Sequence, residues 1–244
     1  MKDISNAIIA EEQYIQDRIY NQMDVNIHDY LEPYGYTVLE EYFRDKHYYQ
    51  LAHCGVEIKP CEVATCMSEM HAAVAQNIPG IWVPTVASGS IFAWHFETYP
   101  IDRELFARYN IPIYEIDSVG GTIISGPEDI SMCVAIPSSI DVGTVHIVNR
   151  LMQFLQTRID PSELDFTNND ILYKGRKVVG VSQKTLDNGM FLFWGHISLI
   201  DRSPIVEEMG ISRSEKLPGS IGHIFTKDEL MTDICSWFEL TWEG

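Results

Sequence analysis

The sequence predicts an α+β fold, in which helices pack on a mixed β-sheet. The prediction rests on strand-like apolar runs that are interrupted by helical patterns. Strands are predicted over residues 81–96, 111–117, 122–136, 142–149, 171–182 and 190–200, and helices near 101–109, 146–158 and 203–210. The two patterns overlap at 146–149, since residues 142–145 could close a strand or open a helix.

The chain divides into three parts by composition. Residues 4–20 carry apolar side chains at helical spacing, so residues 1–23 are predicted to form an N-terminal helix of the core. Residues 24–77 contain a cluster of tyrosine and phenylalanine, and we expect a packed accessory layer there. An insertion that covers a pocket or binds a partner is the alternative. Residues 78–244 are predicted to form the main domain.

The end of the chain carries a helix start signal. Thr226 has the N-cap position, and Glu229 follows three residues later, as in a capping box. Leu230, Ile234 and Trp237 then form one apolar face. A final amphipathic helix is therefore predicted from this point.

Charge excludes two classes of partner. The chain has 17 basic and 35 acidic side chains, a formal net charge of −18. Nucleic acids and anionic membranes both require clustered Lys and Arg, so neither is an expected partner. The sequence also has no apolar run of membrane-spanning length and no apolar core of a signal peptide near Met1, so we expect a cytoplasmic protein.

The five cysteines favour a reducing compartment over a disulfide framework. Two histidines and three cysteines fall close together in the sequence, at His53, Cys54, Cys61, Cys66 and His71. Their spacings are wider than the paired ligands of structural zinc sites. Buried thiols are the favoured interpretation, and no metal ligands are assigned.

One lysine lies between two apolar runs in a predicted β-hairpin. Residues 171–173 and 178–179 predict two short strands, and Lys174-Gly175 between them suits a tight turn. Lys177 then stands at the start of the second strand. Its ammonium group is a compact charge with three donors, which suits it to holding a carboxylate and a phosphate together. Lys174, Arg176 and Lys177 also form the tightest basic cluster in the chain.

The residues around Lys177 resemble the lipoate-protein ligase family, which belongs to one superfamily with biotin-protein ligases. The similar segments are 167–172 (TNNDIL) before the lysine, 180–183 (GVSQ) after it and 195–199 (GHISL) further on. Residues 90–96 look like a strand end of that family, and 114–129 occupy the place of its glycine-rich loop. The resemblance covers about residues 78–244.

That resemblance implies an activity. ATP and Mg²⁺ would convert lipoate or octanoate, a small carboxylic acid, to an acyl-adenylate, and a lysine on a lipoyl-type carrier domain would receive the acyl group. Lys177 would be the catalytic residue that holds the carboxylate and the α-phosphate. The other residues that the resemblance brings to the substrate and nucleotide site are Ser118, Gly120, Gly121, Thr122, Asn169, Asp170, Gly180 and His196. Among these, Asn169 and Asp170 would lie beside the metal or nucleotide, and His196 would support Lys177 or the pocket wall.

Two departures keep other functions open. Where these ligases carry two arginines before the glycines, the chain has Glu115-Ile116-Asp117, so a cationic clamp is expected to have become acidic. The family's histidine-glycine pair is also inverted, to Gly195-His196. A protein that binds a ligand or partner without catalysis is one alternative. An ATP-independent acyltransferase is another, although no cysteine stands just before the Lys177 block, where related octanoyl transferases place theirs.

Overall fold

The apolar strands assemble into two sheets in the computed structural model, which describes residues 55–96, 100–118, 120–137, 144–167, 170–211 and 217–242. The elements in chain order are β1 (Ile58–Glu62), α1 (Val63–Val74), β2 (Gly80–Thr85), β3 (Phe92–Phe96), α2 (Arg103–Arg108), β4 (Ile113–Ile116), β5 (Thr122–Ser125), β6 (Ile130–Pro137), α3 (Thr144–Leu155), a 3₁₀ turn (Pro161–Glu163), β7 (Leu164–Thr167), β8 (Asp170–Tyr173), β9 (Arg176–Thr185), β10 (Met190–Ile197), α4 (Ser203–Glu208) and α5 (Lys227–Ser236).

The larger sheet has seven strands in the order β1-β2-β6-β10-β9-β8-β7, and the smaller sheet has three in the order β4-β3-β5. Strands β1 and β2 pair in parallel, as do β3 and β4, whereas the remaining pairs are antiparallel. These mixed sheets with a few helices confirm the predicted α+β class.

Three apolar clusters hold the layers together. Helices α3 and α5 pack on one face of the large sheet. Helix α1 and the small sheet pack on its other face. Helices α2 and α4 cover the far side of the small sheet. The two sheets face each other where Trp94 of β3 packs against Trp194 of β10 with ring centroids 6.2 Å apart.

Some predicted elements were wrong in their limits. The predicted strand over 81–96 is two strands, β2 and β3, in different sheets, because a turn with Gly89 at φ +77° separates them. The predicted strand over 122–136 likewise divides into β5 and β6. The predicted strand over 142–149 is wrong: helix α3 begins at Thr144, and Ile147, Val148 and Leu151 bury one of its faces.

Other predictions concern residues outside the described ranges. The N-terminal helix over 4–20 and residues 24–54 of the aromatic segment belong to this group. The described part of that segment, 55–77, supplies edge strand β1 and helix α1, and the proposed division of the chain stays a prediction. In the described part of the chain, no helix is long and apolar enough to cross a membrane.

Two local signals from the sequence are confirmed. Lys174 and Gly175 form the β8–β9 turn with φ of 51° and 75°, the conformation of the tight turns that suit hairpins. Thr226 caps α5, and a reciprocal bond from its backbone to Glu229 completes the capping box.

A buried carboxylate fixes the segment that follows β10. Asp129 has a side chain only 1% exposed, and its Oδ1 accepts from the backbone N–H groups of Leu199 (2.8 Å) and Ile200 (3.1 Å). Its Oδ2 accepts from the N–H of Gly126 (3.0 Å) and from Nε of Arg202 (2.8 Å). The carboxylate therefore fixes the chain directly after β10, the strand that contains Trp194 and His196.

Asp129→Ala should therefore destabilise the protein by about 3–5 kcal/mol, because it leaves Arg202 and three backbone donors without their buried acceptor. Glu128→Ala is the matched control: it also contacts Arg202, but its side chain is 50% exposed, so its loss should cost less than about 1 kcal/mol. Urea unfolding of both variants measures the difference. Equal losses in the two variants would show that the Asp129 carboxylate does not fix the segment after β10.

Candidate functional site

A β-bulge directs Lys177 into the space between the sheets. Leu172 of β8 pairs with Lys177 of β9, and Ile171 pairs with Val179, so Val178 is an extra residue. Bulges change the direction of the side chains that flank them. Val178 and Val179 accordingly both lie in the core under α3 and α5. Lys177 is thereby turned to the opposite face of the sheet.

Gly180 provides the space that the lysine occupies. A Cβ atom at this position would lie 2.5 Å from Cε and 2.7 Å from Nζ of Lys177, so the lysine side chain crosses directly over the glycine. Asp170 is the cross-strand neighbour of Gly180, and its Oδ1 lies 2.9 Å from Lys177 Nζ. The lysine backbone is also fixed, because it bonds to Leu217 and Gly219 at 2.9 Å each.

Lys177 lies at the edge of a narrow, mainly apolar pocket of about 80 Å³. The apolar part of the lining comes from strands of both sheets, with the residues Pro84, Trp94, Phe96, Ile116, Ile123, Met132, Val181 and Trp194. The polar wall comprises Gly120, Gly121, Thr122, Ser131, Lys177, Gly180, Ser182, Gly195 and His196. The arrangement can hold one anionic or carbonyl group at the lysine and an apolar chain beyond it.

The structure brings most of the predicted site residues together. Gly120, Gly121, Thr122, Gly180 and His196 line the pocket with Lys177, and Asp170 pairs with the lysine. Their roles in binding stay predictions.

Ser118 and Asn169 stand apart from that group. Ser118 does not line the pocket; its Oγ is 2.5 Å from Oγ of Ser182, and this contact ties the end of β4 to β9. Asn169 lies outside the described residues.

His196 is an uncharged part of the pocket wall. Its Nδ1 lies 3.1 Å from Oγ of Ser131 and its Nε2 3.2 Å from Oγ of Ser198. Burial lowers the pKa of His196 to about 4, an effect that Asp129 opposes and the nearby Lys177 reinforces. At neutral pH the imidazole adds no second positive charge to the pocket.

The prediction that acidic side chains replace a cationic clamp in the pocket is wrong, because Glu115 and Asp117 face the surface. Strand β4 buries Ile116, which lines the pocket, whereas Glu115 faces outward and forms an ion pair with Arg103. Asp117 is also exposed and pairs with Lys184 at 2.5 Å. Because side chains alternate along a strand, the segment presents an apolar residue to the pocket and its two acids to the surface.

The predicted basic cluster also does not act as one group. Lys174 pairs with Glu163 at 3.1 Å, and Arg176 donates to Oγ of Ser203 at 3.2 Å. Among the described lining residues, Lys177 is the single cation, and Asp170 compensates its charge.

Sequence reasoning missed several wall residues. Ser131 and Trp194 reach the pocket because β6 and β10 pair in a register that places Ser131 opposite His196, and Trp194 two residues from it on the same face. The sequence of neither strand alone contains the information that sets this register. The alternation along the two strands could have indicated which side chains share a face, once their pairing was known.

The cysteines that the structure describes are buried in the apolar core. Cys61, Cys66 and Cys133 are buried free thiols in the cluster between the sheets and α1, and burial raises the pKa of Cys133. Cys54 and His53 lie outside the described ranges.

Comparison with solved structures shows that the chain has the fold of lipoate-protein ligases. Lipoate-protein ligase A bound with ATP matches with a TM-score of 0.56 and 11% identity, over 75% of this chain and 83% of that chain. P. falciparum LipL1 in complex with lipoate also gives 0.56 and 11%, over 75% of this chain and 62% of that one.

A third match comes from an archaeal lipoylation system of Thermoplasma acidophilum, a bipartite lipoate protein ligase and its E2 lipoyl domain. Its TM-score is 0.54 at 11% identity, over 75% of this chain and 81% of that one. No protein-family model and no curated protein sequence matches the chain. At these identities the likeness shows the fold alone.

Gly180→Ala should displace the lysine without harming the fold. The new methyl group meets the flexible end of Lys177, which can swing towards solvent, and alanine lowers the entropy cost that glycine brings to a strand. The freed amine should react faster with acetic anhydride than in the wild type, whereas the exposed Lys174 serves as an internal reference for the reagent. Mass spectrometry of the modified protein measures both rates, and an unchanged Lys177 rate would contradict the close contact.

His196 should make folding stability depend on pH. The unfolded imidazole binds a proton near pH 6.5 and the folded one near pH 4, so its contribution is complete above pH 6.5 and is lost as the pH falls to 4. The loss should reach about 3 kcal/mol. Between pH 6.5 and pH 4, the free energy of unfolding of His196→Gln should therefore fall by about 3 kcal/mol less than that of the wild type. Urea unfolding at several pH values measures it, and identical slopes in both proteins would refute the assignment.

Proposed function

We propose that this protein is a lipoate-protein-ligase-like enzyme, which binds a medium-chain carboxylic acid such as lipoate or octanoate and transfers it to a lysine of a lipoyl-type carrier domain. The observation that carries the proposal is the position of Lys177, at the edge of an apolar pocket between two sheets with the lipoate-ligase arrangement. The bound ATP, lipoate and lipoyl domain of the similar proteins support this class of ligand and partner.

The pocket matches the two ends of such an acid. The ammonium group of Lys177 has three donors, of which one is directed to Asp170, so two can be directed to carboxylate oxygens. The alkyl tail would then lie against Trp94, Phe96 and Trp194. Burial of an acyl chain against these rings supplies affinity, whereas the lysine sets the orientation of the carboxyl group.

The described residues fit only part of a nucleotide. ATP, when bound, would activate the acid by giving the carbonyl a leaving group. Lys177 and the backbone of Gly120 and Gly121 could hold one anionic group, a carboxylate or an α-phosphate. Among the described lining residues there is no second cation for the rest of a triphosphate, and Asp170, the carboxylate beside Lys177, is already paired with that lysine. No step is therefore assigned to magnesium.

The transfer step follows from the pocket residues. The neutral amine of the carrier lysine would attack the acyl carbonyl carbon, and the C–N bond would form while the bond from that carbon to the leaving group breaks. The leaving group would depart with the bonding electron pair, and the amine would lose its proton to solvent. Negative charge develops on the carbonyl oxygen in this step, and the Lys177 ammonium, already fixed by Asp170, stabilises it without reorganisation. The neutral His196, the cross-strand neighbour of Gly180, adds no second charge beside the lysine.

A binding protein without catalysis is the second candidate. Two observations favour it. Asp170 neutralises the single cation that lines the described pocket. The segment 115–117, which by resemblance takes the place of the family's arginine pair, presents only the apolar Ile116 to the pocket. An ATP-independent acyltransferase, the further alternative, would use the same lysine but take its acyl group from a thioester.

Lys177→Ala should reduce acyl transfer at least tenfold, which corresponds to about 1.4 kcal/mol of lost transition-state stabilisation. The variant should still fold but with a lower thermal midpoint, because it leaves the Asp170 carboxylate, 9% exposed, without its partner cation. Lys177→Arg should also fail, since a planar guanidinium is wider than an ammonium. The measurements are ATP–pyrophosphate exchange with octanoate and with lipoate, and acylation of a lipoyl domain.

Lys174→Ala is the matched control, because this neighbouring lysine pairs with Glu163 and lies away from the pocket wall; it should keep full activity. Full activity in a folded Lys177→Ala protein would refute the proposal. Exchange that is absent even in the wild type, with octanoate still bound, would favour the binding protein, and transfer from octanoyl thioester without ATP would favour the acyltransferase.

A further inference from the structure

A second cavity lies beyond the lysine pocket. It has a volume of about 380 Å³ and opens between helix α1 and the β9–β10 hairpin. Its walls carry apolar side chains from both elements, including Met67, Met70, Leu186 and Leu192. At its rim, the ion pair of Lys184 with Asp117 faces the surface.

The register of the large sheet places the two cavities in line. Gly180 pairs with His196, Ser182 pairs with Trp194, and Lys184 pairs with Leu192, as three successive rows on one face of β9 and β10. The first two rows line the lysine pocket, and the third lines the second cavity. The first and third rows are four residue steps apart along β9, about 13 Å at 3.3 Å per residue.

Trp194, in the middle row, lies between the lysine pocket and the second cavity, and we call it the partition. Of the described residues, it is the only one that lines both cavities. The residue is 5% exposed, and its ring packs against that of Trp94 with centroids 6.2 Å apart. Across the strand, Ser182 contacts Ser118 at 2.5 Å, so the partition continues to the end of β4.

We propose that Trp194 sets the length of the acyl chain that this protein accepts. A chain that starts at Lys177 and runs along the face of the sheet meets the indole ring after the first two rows. The ring stops the chain there, although apolar space continues beyond it. Saturated unbranched carboxylates long enough to pass this row are therefore excluded, and those that end at the ring are preferred.

The physical basis is the burial of methylene groups. Each methylene that moves from water into an apolar pocket raises affinity about fourfold. In the wild type this gain should stop once the chain reaches Trp194. If the indole is removed, the pocket and the second cavity become continuous, so the gain should continue over several more methylenes.

This inference rests on the proposed function only through the position of the carboxylate at Lys177, and its test requires no catalysis. Isothermal calorimetry would measure the binding of hexanoate, octanoate, decanoate, dodecanoate and tetradecanoate to the full chain. In the wild type, affinity should rise with length and then fall. In Trp194→Ala, the optimum should move by at least two methylenes, and the affinity for the longest acids relative to hexanoate should increase at least tenfold.

Leu186→Ala is the matched control, because it enlarges the second cavity without removing the partition. It should leave the chain-length profile unchanged. Because loss of a buried tryptophan could unfold the protein, Trp194→Phe and Trp194→Leu provide a graded series, and their optima should move in order of side-chain size. Thermal melting identifies the variants that remain folded.

The outcomes separate the two proposals. An unchanged profile in the folded Trp194 variants, with acids still bound, would overturn the role of Trp194 and leave the proposed function intact. A profile that also shifts in Leu186→Ala would overturn the partition. If no acid binds to the wild type or to any variant, both the acyl pocket and its length determinant are wrong.

Discussion

The contact of Lys177 with Asp170 across Gly180 is the constraint on which the site depends. Three features produce it: a bulge at Val178 turns the lysine to the inner face of the sheet, the glycine leaves room for its side chain, and the cross-strand carboxylate holds the ammonium at 2.9 Å. A lysine on an ordinary strand would alternate away from Gly180. The site is thus a consequence of pairing between β8 and β9.

Charge compensation decides what this site can bind. A protein with a net charge of −18 repels anions at long range, so an anionic ligand requires a local cation. The described pocket has one such group, and its charge is balanced by Asp170. A carboxylate or an acyl carbonyl, placed at the open donors of that lysine and followed by an apolar chain, satisfies these conditions better than a triphosphate does. Lys184, the lysine among the described residues that line the larger cavity behind Trp194, is paired with Asp117.

The local features of the sequence predicted the structure well, and the long-range ones did not. A few adjacent residues determine each of the features that were predicted correctly, namely the Lys174-Gly175 turn, the capping box at Thr226 and the start of β9 near Lys177. The bulge at Val178 and the exposure of Glu115 depend on which strands pair and in which register, and a single segment does not contain that information. The same reason explains why Trp194 and Ser131 were not found as wall residues.

The most direct test of the account is a crystal structure of the protein with octanoate, or with a non-hydrolysable octanoyl-adenylate. We predict a carboxyl or acyl oxygen within hydrogen-bond distance of Lys177 Nζ, about 2.7–3.2 Å, and an alkyl chain that ends against the indole of Trp194. A ligand bound elsewhere, with the lysine still directed only to Asp170, would contradict it.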